Sequence, residues 1–220
     1  MATELRREGE VFVLYMDAGE NRFDPDLLHA WNESLDEVEK TEGPKALVTT
    51  ASGKFYSNGL DLDYGMGSGD MAGYVGQVTA LYARVLTLPC ITVAAMNGHA
   101  FGAGGQIALA HDFRLMREDR GYFCMPEIDM DAFLHPGMTA ILRERLPKQT
   151  AHEVIVTGHR YGGTEAAAAG IVNRALPEAE LLGEAIELAA SLASKAKPVM
   201  RRLKAEQYPH VLAALAAPLA

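Results

Sequence analysis

Asn97-Gly98-His99-Ala100-Phe101-Gly102-Ala103-Gly104-Gly105-Gln106 follows directly on the apolar run Ile91 to Ala95. The run reads as a strand and Gln106 to Ala110 reads as a helix, so the glycines sit at a strand-to-helix junction. The first amides of a helix have no carbonyl partner within it and carry the positive end of its dipole. Glycines leave those amides bare, which suits an oxygen on which negative charge develops. Close packing of a tight turn accounts for the same glycines without a ligand, so the cluster alone leaves both readings open.

Outward from the cluster, strand and helix alternate. Val11 to Met16 is rich in β-branched and aromatic residues and reads as a strand. Asp24-Pro25 opens a helix, Asp24 as N-cap and Pro25 in its first position. Leu27, Leu28, Trp31, Leu35 and Val38 continue it at helical spacing, and Gly43-Pro44 ends it. Ala46 to Thr50 is a second strand, apolar enough for a buried sheet. Ala51 to Gly69 reads as a polar loop, Met71 to Leu88 as a helix stopped by Pro89, and Phe113 to Met116 and Tyr122 to Met125 as short strands. Beyond Pro136 the pattern is mostly helical, with a brief strand at Ile171 to Ala175, a helix around Ala179 to Lys195 and an alanine-rich tail from Leu212. The alternation predicts an α/β protein of one domain over residues 1–220, with a core at about 11–175 and a helical part at about 176–220.

The balance of charge narrows the partners. Twenty Lys and Arg face 29 Asp and Glu, a net charge of −9, which argues against nucleic acid. No run approaches the roughly 18–20 apolar residues of a membrane span. The polar stretch Met1 to Glu8 lacks the apolar core of a secretion signal, and Pro218-Leu219-Ala220 is not a receptor-read address, so a cytoplasmic location is expected. Cys90 and Cys124 stand far apart and read as buried small hydrophobes, without disulfide or metal spacing. Ile107 occupies the third-glycine place of a dinucleotide fingerprint. No Gly-Lys-Ser/Thr loop, Gly-x-Ser-x-Gly elbow or second zinc-peptidase histidine beside His152-Glu153 is present. Any chemistry runs on backbone dipoles and ordinary side chains, with no metal and no cofactor expected.

A second glycine loop tips the balance toward function. Ser52-Gly53-Lys54-Phe55-Tyr56-Ser57-Asn58-Gly59-Leu60-Asp61-Leu62 follows the strand Ala46 to Thr50 as the first cluster follows its own. Two loops at strand ends can face each other across a crevice and give one amide each to the same oxygen. Met125-Pro126-Glu127-Ile128 adds a lone acid.

These three segments, with Thr157-Gly158-His159-Arg160 and the stretch Glu165 to Val172, resemble the enoyl-CoA hydratase/isomerase, or crotonase, family over roughly Val11 to Leu203. The resemblance implies a spiral of ββα units, with two roughly perpendicular sheets surrounded by helices. It implies homotrimers or dimers of trimers and an acyl-CoA thioester as substrate. It places the oxyanion amides at Leu60 and Ala103 and the acid at Glu127. Gly59, Gly104 and Asn58 become substrate-binding positions, Phe133 and Leu134 with Met130 an apolar wall, and Lys54 and Arg22 candidates for the CoA phosphates. Hydratases of the family carry a second glutamate where this chain has Gln106, and a neutral amide takes no proton from water. A single glutamate fits the Δ3,Δ2-enoyl-CoA isomerases. Arg114 to Phe123 and Gly98-His99-Ala100 with His111-Asp112 resemble the isomerases related to the plant peroxisomal enzymes.

The expectation is therefore an isomerase of fatty-acid β-oxidation. The alternatives are a hydratase, thioesterase or decarboxylase on the same scaffold, or a non-catalytic acyl-CoA-binding protein. Asp131 and His135, in an acidic loop slightly longer than usual for the family, are secondary site candidates beside Gln106. The resemblance also implies a C-terminal part shorter than in a typical hydratase, and so a more open acyl pocket or an altered assembly. Asp61 and Asn97 read as turn-forming residues, and His99 and His111 as structural.

Overall fold

A computed structural model describes residues 3–219. Met1, Ala2 and Ala220, which belong to the polar start and alanine-rich tail discussed above, lie outside the described residues. The strands are β1 (Thr3–Glu8), β2 (Val11–Met16), β3 (Arg22–Phe23), β4 (Ala46–Ala51), β5 (Phe55–Ser57), β6 (Gly59–Leu60), β7 (Ile91–Met96), β8 (His99–Phe101), β9 (Phe113–Arg117), β10 (Phe123–Cys124) and β11 (Arg174–Leu176). The helices are α1 (Pro25–Lys40), α2 (Leu62–Gly67), α3 (Met71–Leu86), α4 (Ala103–Ala110), α5 (Pro136–Arg145), α6 (Lys148–Thr157), α7 (Gly163–Ala168), α8 (Glu178–Leu192), α9 (Pro198–Gln207) and α10 (Pro209–Leu215). Short 3-10 turns occupy Glu127–Met130 and Ala193–Lys195.

The architecture is a spiral of strand–strand–helix units. A six-stranded sheet runs β1-β2-β4-β7-β9-β11, and a three-stranded sheet runs β10-β8-β5. Each turn places one strand in the large sheet and one in the small sheet, then a helix: β4, β5 and α3; β7, β8 and α4; β9, β10 and α5. The pairs β2–β4, β4–β7, β7–β9 and β9–β11 are parallel, and so are both pairs of the small sheet. Strands β2, β4 and β7 of the large sheet are apolar on both faces, so alternate residues serve two cores. Val11, Val13, Val48, Val93 and Leu115 pack on Leu181, Ala185 and Ala189 of α8. Phe12, Leu14, Leu47, Ala94 and Met116 belong to the larger core, with Trp31, Val78 and Ile107.

Several elements differ from the sequence reading. The polar start forms β1, antiparallel to β2 from Thr3↔Met16 to Glu8↔Val11. Its charged residues suit an edge strand, where one row of backbone groups stays in solvent. The stretch Ala51 to Gly69 holds β5, β6 and α2, each too short to show a period. The third helix stops at Leu86, because Thr87 and Leu88 turn toward Pro89. The cluster helix starts three residues earlier, at Ala103. The second short strand narrows to Phe123–Cys124, and the late strand shifts to Arg174–Leu176. The helix around Ala179 ends at Leu192 in a 3-10 turn. Asp24 caps α1 as read, its carboxylate accepting from the Leu27 amide at 2.7 Å.

The C-terminal segment reaches the site. Helix α10 packs against α5, and Leu219 borders the same cavity as Glu127, so this segment helps to enclose that cavity.

Candidate active site

Two strand ends and the 3-10 turn at Glu127 meet around a cavity of about 670 Å³. Asn58, Gly59 and Leu60 border it from β6, and Phe101, Gly102 and Ala103 from the β8–α4 junction. The junctions are in close contact. Gly59 lies at φ +89°, and a Cβ there would sit 2.8 Å from the Phe101 carbonyl oxygen and 3.2 Å from the Ala103 nitrogen. Gly102 is the N-cap of α4 at φ +48°, with no side-chain cap, so Ala103 carries the first amide of an uncapped helix. These two glycines are required by the turn and the close approach. Gly104, by contrast, packs its bare Cα against Ser57 away from the cavity, and serves packing.

Glu127 stands over the open end of α4. Its Oε1 lies 3.5 Å from where a Cβ on Gly102 would be, and its Oε2 is buried without a hydrogen-bond partner. Burial pushes its carboxyl above the ordinary value of 4.5, opposed by the smaller effect of its own backbone amide. The 3-10 turn that holds it is closed by Ala132 N–H donating to Glu127 O at 3.0 Å, with Asp131 in the left-handed region at φ +51°.

The walls are apolar. Leu62, Met71, Val75 and Met138 line one part; Met130, Phe133 and Leu134 line another. Met71 and Val75 are four residues apart on α3 and share a face. Leu62, Met71, Val75, Met138 and Leu219 were not singled out in the sequence. For Met71 and Val75 the only signal was the apolar spacing of the α3 segment, which does not say what an apolar face packs against.

The other candidates fall in different places. Arg22 lines the cavity and pairs with Glu20 at 2.7 Å. Lys54 lies outside the lining, its Nζ 5.1 Å from the centre of the Phe55 ring. Asp131 is exposed at the rim. His135 lines the cavity with both ring nitrogens engaged: Nδ1 accepts from the Gly137 amide at 3.0 Å and Nε2 donates to Ala217 O at 2.9 Å. Gln106 is fully buried beneath the site and outside the lining, its Nε2 3.7 Å from Met125 Sδ. Asp61 caps α2 through the Tyr64 amide, and Asn97 holds Ala51 N–H and Gly53 O. His111 is buried between Thr49 and Ile107, and burial lowers its pKa to about 4, so it stays neutral. Cys90 and Cys124 are buried and unpaired. Among the described residues no cluster of acids, histidines or cysteines is suited to a metal, and no helix is long and apolar enough to cross a membrane.

The chain matches the enoyl-CoA hydratase/isomerase family over residues 6–217. It is 35% identical over 204 residues to the peroxisomal enoyl-CoA delta isomerase 2 of Arabidopsis thaliana, covering 87% of this chain and 85% of that protein. Enoyl-CoA delta isomerase 3 of the same plant is 37% identical over 202 residues, covering 87% and 84%. Carnitinyl-CoA dehydratase of Escherichia coli K12 is 35% identical over 168 residues, covering 72% and 61%. Among solved structures, a Mycobacterium tuberculosis protein described as an enoyl-CoA isomerase in one structure and as a probable enoyl-CoA hydratase in another superposes in the first with a TM-score of 0.90 at 21% identity, covering 97% of this chain and 94% of that one. The spiral described above is thus the crotonase fold.

Proposed function

The chain belongs to the enoyl-CoA hydratase/isomerase family, and from that premise we propose that it is a Δ3,Δ2-enoyl-CoA isomerase, shifting the double bond of a 3-enoyl-CoA to the 2-position. The observation that carries this reading is the pairing of one half-buried carboxylate, Glu127, with an amide at the position of a second acid. Gln106, on α4, is fully buried and outside the cavity lining, so it offers no second acid to activate water.

Glu127 removes a proton from C2 of the bound thioester. Negative charge moves to the thioester oxygen, which lies between the amides of Leu60 and Ala103. The protonated Glu127 then returns a proton to C4, and the conjugated 2-enoyl-CoA leaves. One carboxylate serves both steps because its acid and base roles follow in sequence. Burial of the carboxyl supports this, since a raised pKa makes a stronger base and keeps the acid form accessible. The apolar walls would hold the acyl chain, and Arg22, a cation of the lining, would meet a CoA phosphate. The cycle needs no cofactor beyond the CoA of the substrate. Cytoplasmic placement, a part in fatty-acid β-oxidation, and a homotrimer or dimer of trimers belong to the same proposal.

The dehydratase likeness favours a second reading, addition or removal of water on the same thioester. Mixing the protein with a 3-enoyl-CoA in D2O and following the products by NMR separates the two. The 2-enoyl-CoA without a 3-hydroxyacyl product is the expected result. An unchanged 3-enoyl-CoA, together with conversion of a 2-enoyl-CoA supplied in its place to the 3-hydroxyacyl-CoA, would replace isomerisation with hydration.

A further inference from the structure

Helix α3 sends two buried tyrosine hydroxyls to the two segments that meet over the cavity. Tyr74 Oη accepts from the Asp61 amide at 2.8 Å and donates to Phe23 O at 2.7 Å. Tyr82 Oη donates to the carbonyl of Ala103 at 3.1 Å. Both side chains are almost fully enclosed, at 2% and 0% exposure. Eight residues of helix separate them, about 12 Å of rise and a little over two turns, which sets the second side chain about 80° around the helix from the first.

These contacts complete a two-sided grip on each donor. On one junction, the Gly59 amide donates to Ser57 Oγ at 3.2 Å before Leu60, and the Asp61 amide donates to Tyr74 after it. On the other, the Gly102 amide donates to Cys124 O at 2.9 Å before Ala103, and the Ala103 carbonyl accepts from Tyr82. A residue held on both sides cannot rotate its own peptide N–H freely. The two grips on the far side of each donor come from one rigid element, so α3 sets the distance between the amides.

Buried tyrosine hydroxyls find partners in any protein. What sets these apart is where the partners lie: one is the residue following Leu60, and the other is Ala103 itself. We propose that Tyr74 and Tyr82 are positioning residues that fix the spacing of the Leu60 and Ala103 amides around the oxygen bound between them. The inference rests on the oxyanion role assigned above. Misplacing a preorganised donor by a fraction of an ångström weakens it for the charged state far more than for the neutral thioester.

The test uses Tyr74→Phe and Tyr82→Phe in the full chain, which remove the hydroxyls and keep the rings. With a 3-enoyl-CoA, each is expected to lower kcat by about 5–50-fold and leave KM within about twofold. A second readout is independent of turnover: the ultraviolet absorbance of the enolate of acetoacetyl-CoA, whose charged oxygen stands in for the dienolate. Bound to the wild type, the enolate fraction is expected to rise above that in solution; bound to either variant, it is expected to fall back. A merely structural role would lower the melting temperature and leave the enolate fraction of the folded, ligand-saturated protein unchanged, and that result would overturn the proposal. If one variant fails to fold, the other carries the test alone. If the wild type binds acetoacetyl-CoA with no enrichment of the enolate, the oxyanion role itself fails and the positioning role falls with it. Enrichment in the wild type that persists in the folded variants overturns the positioning role only.

Discussion

Helix α4 has one end open and one end closed. Its N-terminus points into the cavity with no side-chain cap, under the carboxylate of Glu127. Its C-terminus is crowded with cations. Arg145 donates from Nε to Leu109 O at 3.0 Å and from one guanidinium nitrogen to His111 O at 2.7 Å and Asp112 O at 3.2 Å. Arg114 adds a bond to His111 O at 3.2 Å and another to Ile171 O at 2.7 Å. A helix leaves unpaired amides at one end and unpaired carbonyls at the other. Here the carbonyls of Ile107, Ala108 and Leu109 are satisfied by the protein and an amide is kept for something else. All eight residues of the helix are buried, so its open end comes from design at the terminus and from no general looseness.

Removing the charge over the open end has the largest expected effect. Glu127→Gln is expected to lower kcat by about 10²–10⁴-fold, the usual share of a general acid–base group, with acyl-CoA affinity little changed. Activity near that of the wild type would remove Glu127 from the mechanism. The wild-type rate should also lose activity as pH falls through a value above 4.5, because the base must be ionised and burial raises its pKa. The same shift has a stability sign. The folded protein holds this proton at pH values where the unfolded chain has released it, so stability declines as pH rises from 4.5 through the raised value. Ionised Glu127 therefore costs stability at neutral pH. The E127Q variant is expected to melt higher than wild type at pH 7, with the difference shrinking as the pH falls toward 4.5 in thermal scans.

Next in size is the gap between the two amide donors. In Gly59→Ala, the new methyl meets the Phe101 carbonyl at 2.8 Å and the Ala103 nitrogen at 3.2 Å on a backbone at φ +89°. The strain is of order 1–3 kcal/mol, and relief of the contact must push the two strand ends apart. We expect kcat to fall by about 10²-fold, with a lower melting temperature. A variant that melts lower but turns over normally would show that the donors tolerate a wider gap, and that the open end alone carries the oxyanion.

Much of this contrast was legible before the structure. The glycine cluster, the second loop and Pro126-Glu127 mark the open end because the sequence there departs from ordinary core: glycines where side chains would obstruct, and an acid next to apolar residues. Strands β2, β4 and β7 were equally plain, since strands buried on both faces are continuous apolar runs. The closed end was not legible. Arg145 lies 35 residues beyond the helix it caps, in a segment whose pattern says only helix. Tyr74 and Tyr82 carried no signal for the same reason, since a hydroxyl's partner is a matter of tertiary placement. Gln106 illustrates the limit from the other side. Its position beside the glycines suggests the site, yet one step of helical rotation turns it toward Met125 and away from the cavity. Gly104, next to the lining residue Ala103, likewise faces elsewhere, and Lys54, four residues before Asn58, lies outside the lining.

The smallest effect on the chemistry is expected at the closed end, where the effect on stability is clear. Arg145→Met keeps an unbranched stem as far as Nε and removes the bonds to three carbonyls and to Tyr208, the last at 2.6 Å. Charged hydrogen bonds to buried acceptors carry much of their weight in what is left unpaired, so a loss of about 2–3 kcal/mol is expected in urea unfolding. Catalysis should change little in the folded protein, because the influence of a helix terminus fades within a turn and α4 is about 12 Å long. A drop in kcat comparable with that of Gly59→Ala, at unchanged KM, would mean that the two ends are coupled through the helix. The bonds at Leu109, His111 and Asp112 would then hold α4 in register along its axis, and with it the amide of Ala103.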